Sequence, residues 1–237
     1  MTAIPAPDVW PDPGLAIAGL TKLSMCDWPG RLAATVFLQG CPWRCGYCHN
    51  PDLQACETLG AVEWGDILSF LDRRAGLLDA VVFSGGEPTR QAGLVSAIEQ
   101  VRAKGFAIGL HTAGIYPKRL SEVVGLVDWV GLDVKALPSG YESITRVASS
   151  ATRAYASLDL ILESGVDHEI RVTVDPTVHD EDHIVSLVAD LRQRGASSIV
   201  LQEARGLGTT PDYASSLAGR TLSTVLNPIP AGVLLRK

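Results

Sequence analysis

Six short apolar runs rich in β-branched residues recur along the chain, at 32–38, 80–83, 106–110, 129–134, 169–174 and 198–201. A continuous apolar run of that length is what a strand buried on both faces requires. Between them lie stretches with helical spacing, at 63–74, 91–104, 117–126, 152–163 and 180–194. Gly105, Gly165 and Gly195 stand just past three of these, where a helix end needs a left-handed residue. Six strands alternating with helices predict parallel crossovers and an α/β sheet. With 46% hydrophobic residues, a chain of 237 can bury one large core, and no linker or repeat interrupts it. We therefore expect a single domain over 1–237, with an N-terminal segment 1–30, a core 31–203 and a C-terminal extension 204–237 that carries a helix-like stretch at 212–219.

The residues directly after each run are as informative as the run itself. In order these are Gln39-Gly40-Cys41, Ser84 to Glu87, His111-Thr112, Asp133-Val134-Lys135, Asp175-Pro176 and Gln202-Glu203. In a parallel barrel the C-terminal strand ends converge on one mouth. Polar and metal-binding residues at nearly all six ends therefore predict one shared site.

The first of these ends opens into Gly40-Cys41-Pro42-Trp43-Arg44-Cys45-Gly46-Tyr47-Cys48-His49-Asn50-Pro51, three cysteines within eight residues. Sets of four thiolates close the shell of iron–sulfur and structural zinc sites, whereas three leave a coordination position for a substrate or cofactor. Zinc accepts three cysteines with a histidine such as His49, but structural zinc loops normally draw on two separated pairs, and no second pair exists here. A disulfide framework fits poorly with five cysteines, three of them crowded, and no signal peptide. Cys26 and Cys56 lie outside the spacing and read as small buried hydrophobes. The thiols and the absent leader make the chain cytoplasmic in expectation.

Composition excludes two further classes. No apolar stretch approaches the ~20 residues a membrane-spanning helix needs. A formal charge of −6 with no Lys/Arg cluster argues against binding nucleic acid through its phosphates.

Other constellations carry readings of their own. The two glycines of Ser84-Gly85-Gly86-Glu87-Pro88 let backbone pass close to a ligand, and the adjacent carboxylate can accept from a cationic amine; the same run also makes a plain strand-to-helix turn. Asp133 and Lys135, two apart on a strand, point to one face, at the barrel mouth. Arg171 is a charge inside an apolar strand and requires an anion, either a bound carboxylate or a side chain such as Asp133 or Glu203. Asp27, before Pro29-Gly30, is equally a turn residue.

C-x3-C-x2-C with an aromatic before the third Cys resembles the signature of the radical S-adenosylmethionine (radical SAM) enzymes. The run from Leu38 to Leu53 resembles the activating enzymes of glycyl radical enzymes, most closely those of anaerobic ribonucleotide reductase, with the pyruvate formate-lyase activating enzymes near relatives. The resemblance implies a partial (β/α)6 TIM-like barrel. It implies that Cys41, Cys45 and Cys48 hold a 4Fe-4S cluster whose fourth iron binds the amino and carboxylate groups of SAM. Gly85, Gly86 and Glu87 match the family's GGEP motif beside the SAM amino group, and Thr112, Asp133 and Lys135 match residues near SAM; His111 stands where the relative has Asp, and Gln202-Glu203 where it has His. Asp27 becomes the substrate-side candidate and Arg171 a candidate for the SAM carboxylate. The implied reaction is reductive cleavage of SAM and abstraction of a glycyl Cα hydrogen from a partner enzyme, with no side chain needed as general base and an electron donor such as flavodoxin or ferredoxin. The competing readings are an activase of a formate-lyase type enzyme, a radical SAM enzyme acting on a small molecule, and an inert metal-binding protein.

Overall fold

The computed structural model describes residues 11–236. Eight strands, β1 (Ile17–Ser24), β2 (Ala33–Leu38), β3 (Ala80–Gly85), β4 (Ala107–Thr112), β5 (Trp129–Asp133), β6 (Asp167–Val174), β7 (Ile199–Glu203) and β8 (Leu234–Arg236), pair in sequence order. Only β1 runs antiparallel to its neighbour. Among the described residues β1 and β8 do not pair with each other, so the sheet is a partial barrel.

The six strands expected from the apolar runs are β2 to β7. The sheet extends beyond residues 31–203 at both ends, through β1 and β8. Both escaped the sequence pattern for the same reason: β1 buries only Ile17 and Ser24 fully, and β8 leaves Leu234 and Leu235 exposed, so neither shows a buried run. The anticipated helices are present as α1 (Trp64–Asp72), α2 (Leu94–Ala103), α3 (Pro117–Val123), α5 (Ser150–Ser164), α6 (Glu181–Gln193) and α7 (Pro211–Leu217); two short ones, α4 (Tyr141–Thr145) and α8 (Leu222–Val225), were not signalled. Gly105, Gly165 and Gly195 have φ of +87°, +73° and +100°, as a left-handed helix end requires.

The strands are two-faced. Ala34, Val36, Leu38, Val81, Phe83, Ile108, Leu110, Val130, Leu132, Ile170, Val172 and Leu201 face outward into the layer of helices and form the main core with them. The alternate positions face into the barrel, where a floor of Trp28, Ala33, Ala80, Val82 and Trp129 packs as a separate small cluster. Trp28 enters from the turn after β1 and stacks on Trp129 at 5.5 Å between ring centroids, a contact worth about 1 kcal/mol beyond its buried area. Above this floor the interior is polar: Ser84, His111, Asp133, Arg171, Thr173 and Gln202 all line the cavity at the strands' C-terminal ends. Among the described residues no helix is long and apolar enough to cross a membrane.

Candidate active site

The loop after β2 is closed by its own backbone. Gly40 N–H donates to Leu53 O at 2.8 Å, Cys41 N–H to Gln54 O at 3.2 Å and Cys48 N–H to Cys45 O at 3.2 Å, while the buried Gln39 amide donates to Asp52 O and Ala55 O. Cys41, Cys45 and Cys48 all line one cavity of about 550 Å³ in the barrel mouth. Burial, with the nearby Glu87 carboxylate second, pushes the Cys41 thiol up to about 12, and burial also raises Cys45. These thiols become thiolates only against a positive charge, which a bound metal supplies.

Three thiols on one loop facing one cavity are a donor set that fits an iron–sulfur cluster. Among the described residues no three His, Cys, Asp or Glu side chains are grouped so as to hold a single metal ion. A mononuclear site needs its sulfurs converging on one centre at about 2.3 Å, whereas an iron–sulfur cluster spreads its thiolates over separate irons.

The end of β3 runs against the base of this loop. Gly86 N–H donates to Leu38 O at 2.8 Å and Glu87 N–H to Gly40 O at 3.0 Å. A Cβ on Gly85, which has φ +112°, would lie 2.3 Å from Leu38 N, and one on Gly86 would lie 2.5 Å from Gly40 O. Both glycines line the cavity, yet the close approach that demands them is to the protein's own backbone.

Glu87 departs from its expected place. Its residue is fully buried and its carboxylate does not line the cavity: Oε1 accepts from Thr89 N–H, Thr89 Oγ1 and Thr112 Oγ1, and Oε2 accepts from Ala113 N–H. These bonds tie the β3 end to the β4 end and turn the carboxylate into the protein, away from the cavity. Burial raises its pKa despite these four donors.

Asp133 and Lys135 face the cavity together, as their spacing predicts, with Lys135 Nζ 3.8 Å from Asp133 Oδ2. The Lys135 ammonium lies over Trp43 and Tyr47 of the cysteine loop, at 5.9 and 5.4 Å from their ring centroids. Burial works against this charge, but the acidic groups around it, led by Tyr47, Cys45 and Asp133, hold its pKa well above that of an ordinary lysine. The result is a fixed, nearly waterless cation beside the thiols.

Arg171 lines the cavity but pairs with neither Asp133 nor Glu203. Its Nε donates to Glu169 Oε1 at 2.8 Å, two residues back on the same strand, and Arg236 of β8 holds both oxygens of that carboxylate at 2.8 and 2.9 Å. Its Nη2 donates across the barrel to Asp27 O at 3.2 Å. His111 Nε2 lies 2.7 Å from the same carbonyl, and its Nδ1 lies 3.2 Å from Ser84 Oγ. Burial, and then the Arg171 charge, lower the imidazole pKa to about 4. The ring is neutral, and its Nε2 sits between the Asp27 carbonyl and Arg171 Nη1, the latter at 3.1 Å. His111 thus joins Arg171 in the contacts that surround the Asp27 carbonyl.

Asp27 lines the cavity from the side opposite the cysteine loop, its Oδ2 accepting from Thr35 Oγ1 at 2.6 Å. Thr112 also lines the cavity, as do Gln202 and Glu203; Asp175 does not, its Oδ1 being taken by Thr177 N–H and Oγ1. Cys26 is exposed at the cavity rim and Cys56 is half-buried in the loop that follows the cysteines, so neither behaves as the buried hydrophobe expected; both sit on turns outside the strands and helices that fill the core. Sequence reasoning missed Glu169 and, among the residues that line the cavity, Arg205 and Arg236. The Glu169-x-Arg171 spacing on a strand was a usable signal for the first; nothing local points to the other two.

A sheet of this order with three cysteines at the first parallel strand end defines a class, and comparison with known proteins agrees. Residues 35–188 match the radical SAM superfamily. The chain is 30% identical over 185 residues to a glycyl-radical enzyme activating protein of Methanocaldococcus jannaschii and, separately, to the pyruvate formate-lyase-activating enzyme of Clostridium pasteurianum, in each case over 74% of this chain and 75% of the relative. It is 27% identical over 218 residues to the 7-carboxy-7-deazaguanine synthase of Methanopyrus kandleri, 83% of each chain. The fold is shared with Streptococcus suis SuiB bound to S-adenosylmethionine (TM-score 0.55, 18% identity, 69% of this chain and 38% of that one) and with anSMEcpe with bound AdoMet (TM-score 0.56, 15% identity, 69% and 48%), so this chain spans less than half of those longer proteins. The chain belongs to the radical SAM superfamily, among its activating enzymes of glycyl radical enzymes. The cofactors of that family are a 4Fe-4S cluster and SAM.

Proposed function

We propose that this enzyme installs the glycyl radical of an anaerobic ribonucleoside-triphosphate reductase, working as one domain over residues 1–237 in the cytoplasm, with a flavodoxin- or ferredoxin-type protein as its electron source. The observation that carries the site assignment is that Cys41, Cys45 and Cys48 share a single cavity with Gly85, Gly86, Thr112, Asp133 and Lys135. The resemblance of the Leu38 to Leu53 run to reductase activating proteins supports the choice of partner.

The cysteines are the residues that would hold the cluster. Together the cluster and SAM supply one-electron cleavage of a sulfonium bond and removal of a hydrogen atom. The remaining residues bind and orient. Lys135 offers a buried cation to a carboxylate, Asp133 offers an acceptor to an amine, and the Gly85-Gly86 backbone shapes the wall between them. Thr112 lines that wall and Glu87 fixes it from behind. Asp27, held in register by Arg171 and His111, faces the incoming polypeptide. Holding reacting atoms in contact geometry supplies on the order of 7–11 kcal/mol in favourable cases.

The test is anaerobic reconstitution with iron and sulfide, then SAM and dithionite, then incubation with candidate partners. The expected results are SAM cleavage and a glycyl radical doublet in the electron paramagnetic resonance spectrum of the reductase. A doublet appearing only with a formate-lyase type enzyme would replace the partner. SAM cleavage with no doublet on any glycyl radical enzyme would favour a small-molecule substrate, the reading to which the likeness with the archaeal deazaguanine synthase belongs.

A further inference from the structure

A second cavity, of about 500 Å³, lies against the cysteine loop, and Cys45 and Gln54 line both it and the SAM-side cavity. At Cys45 the loop is therefore the whole partition between the inner site and this outer groove. The outer groove is walled by the loop itself, by Ser143 and Ile144 of α4, and by Asp212 and Tyr213 of α7.

Two arginines stand at this partition. Arg44 lies between Cys41 and Cys45, and its Nη1 donates to Cys41 O at 2.7 Å and more weakly to Trp43 O and Gln54 O, which pins an exposed guanidinium to the loop. Arg146 comes from the residue after α4; its Nη2 reaches back over Gly46, 3.8 Å from where a Cβ would stand. Among the described residues neither arginine has a carboxylate within ion-pair distance, although Asp212 shares the groove. On a chain with a formal charge of −6, Arg44 pinned to the loop and the exposed Arg146 beside it form a local cationic spot against an acidic background. An acidic partner is steered to such a spot, and pre-organised donors lose little entropy in meeting its carboxylates.

We propose that this groove is the docking surface for an acidic one-electron carrier protein, with Arg44 and Arg146 as its anchors and Cys45 as the nearest point of entry. The inference rests on the cysteines holding the cluster. In the transfer one electron leaves the carrier, oxidising it by one equivalent, and reduces the cluster by one; no bond forms or breaks. The inner cavity stays free for SAM and substrate, so donor and partner enzyme approach by different faces of the loop.

The test uses the reconstituted full chain and an acidic flavodoxin as probe. Affinity is measured by calorimetry, and cluster reduction by stopped-flow absorbance, each at low and high salt. Arg146→Glu should weaken binding and slow flavodoxin-driven reduction about tenfold at low salt, an effect that shrinks as salt screens it, while the dithionite-driven rate stays at the wild-type value. Asp212→Asn should move both readouts the opposite way. Unchanged binding and reduction in Arg146→Glu at low salt would overturn the docking surface, as would failure of flavodoxin to reduce a wild-type cluster that dithionite reduces. A wild-type protein that holds no cluster would instead remove the site assignment on which this proposal stands.

Discussion

Arg171 Nη2 donates to the backbone carbonyl of Asp27 at 3.2 Å, joining two residues 144 positions apart across the barrel. The same guanidinium anchors on Glu169, which Arg236 grips from the last strand. One network thus links the C-terminal end of the sheet to the turn after β1.

Removing Arg171 leaves the buried Glu169 carboxylate with one partner in place of two and frees the Asp27 turn. Breaking a buried pair from one side costs about 3–5 kcal/mol when nothing replaces it, and with Arg236 remaining we expect Arg171→Ala to cost about 3 kcal/mol by urea unfolding. Replacing both residues, as Glu169→Met with Arg171→Met, should recover most of that loss. A double variant weaker than Arg171→Ala would show that the pair itself, not the orphaned charge, carries the stability.

The same network sets an acid limit. Burial opposes the Glu169 charge, but hydrogen bonds from Arg236 and Arg171 outweigh it and hold the carboxyl below the usual 4.5. The folded state then binds fewer protons than the unfolded one just below that value, so this stabilisation is complete above about pH 4.5 and is lost as pH falls through the lower folded pKa. Urea midpoints between pH 3 and 7 should drop more steeply at the acid end for the wild type than for Glu169→Gln.

Glu87→Gln tests whether that carboxylate is a brace. Its oxygens accept from four donors, so an amide keeps three at Oε1 and turns its NH₂ against Ala113 N–H. One buried donor left unmade costs about 1–3 kcal/mol, seen as a lower unfolding midpoint. An amine-binding role alone would leave stability untouched and change only SAM affinity.

Two glycine substitutions separate strain from collision. Gly105 has φ +87° with nothing within 4 Å of where a Cβ would stand, so Gly105→Ala should cost about 1–2 kcal/mol. At Gly85 the new Cβ meets backbone at 2.3 Å, and neither Leu38 nor the cysteine loop can give without parting β2 from β3. Gly85→Ala should fail to fold or lose iron content altogether; a soluble, iron-loaded variant would refute the packing argument.

Single Cys→Ser variants should divide cleanly. Loss at Cys41, Cys45 or Cys48 should abolish the 4Fe-4S spectrum and SAM cleavage, whereas Cys26→Ser and Cys56→Ser should retain full iron content, because both lie outside the C-x3-C-x2-C run proposed to hold the cluster.

What the sequence by itself determined is local: six strands whose outward faces are apolar, the glycine helix ends, and a loop whose three thiols line one cavity because they are close in sequence. The strand-end rule also placed Asp133 and Lys135 correctly, since period-two geometry and parallel pairing leave their side chains little choice. Tertiary structure decided the pairings. That Glu87 spends its carboxylate on Thr89, Thr112 and Ala113, that Arg171 chooses Glu169 over Asp133 or Glu203, and that Arg236 and Asp27 belong to one network all depend on which side chains meet across the barrel interior. Glu169 and Arg171 share a strand face, which their spacing shows, but the partners that complete these networks, Thr112 for Glu87, Arg236 for Glu169 and Asp27 for Arg171, lie 25 to 144 residues away and are selected by distance and desolvation once the sheet has curled.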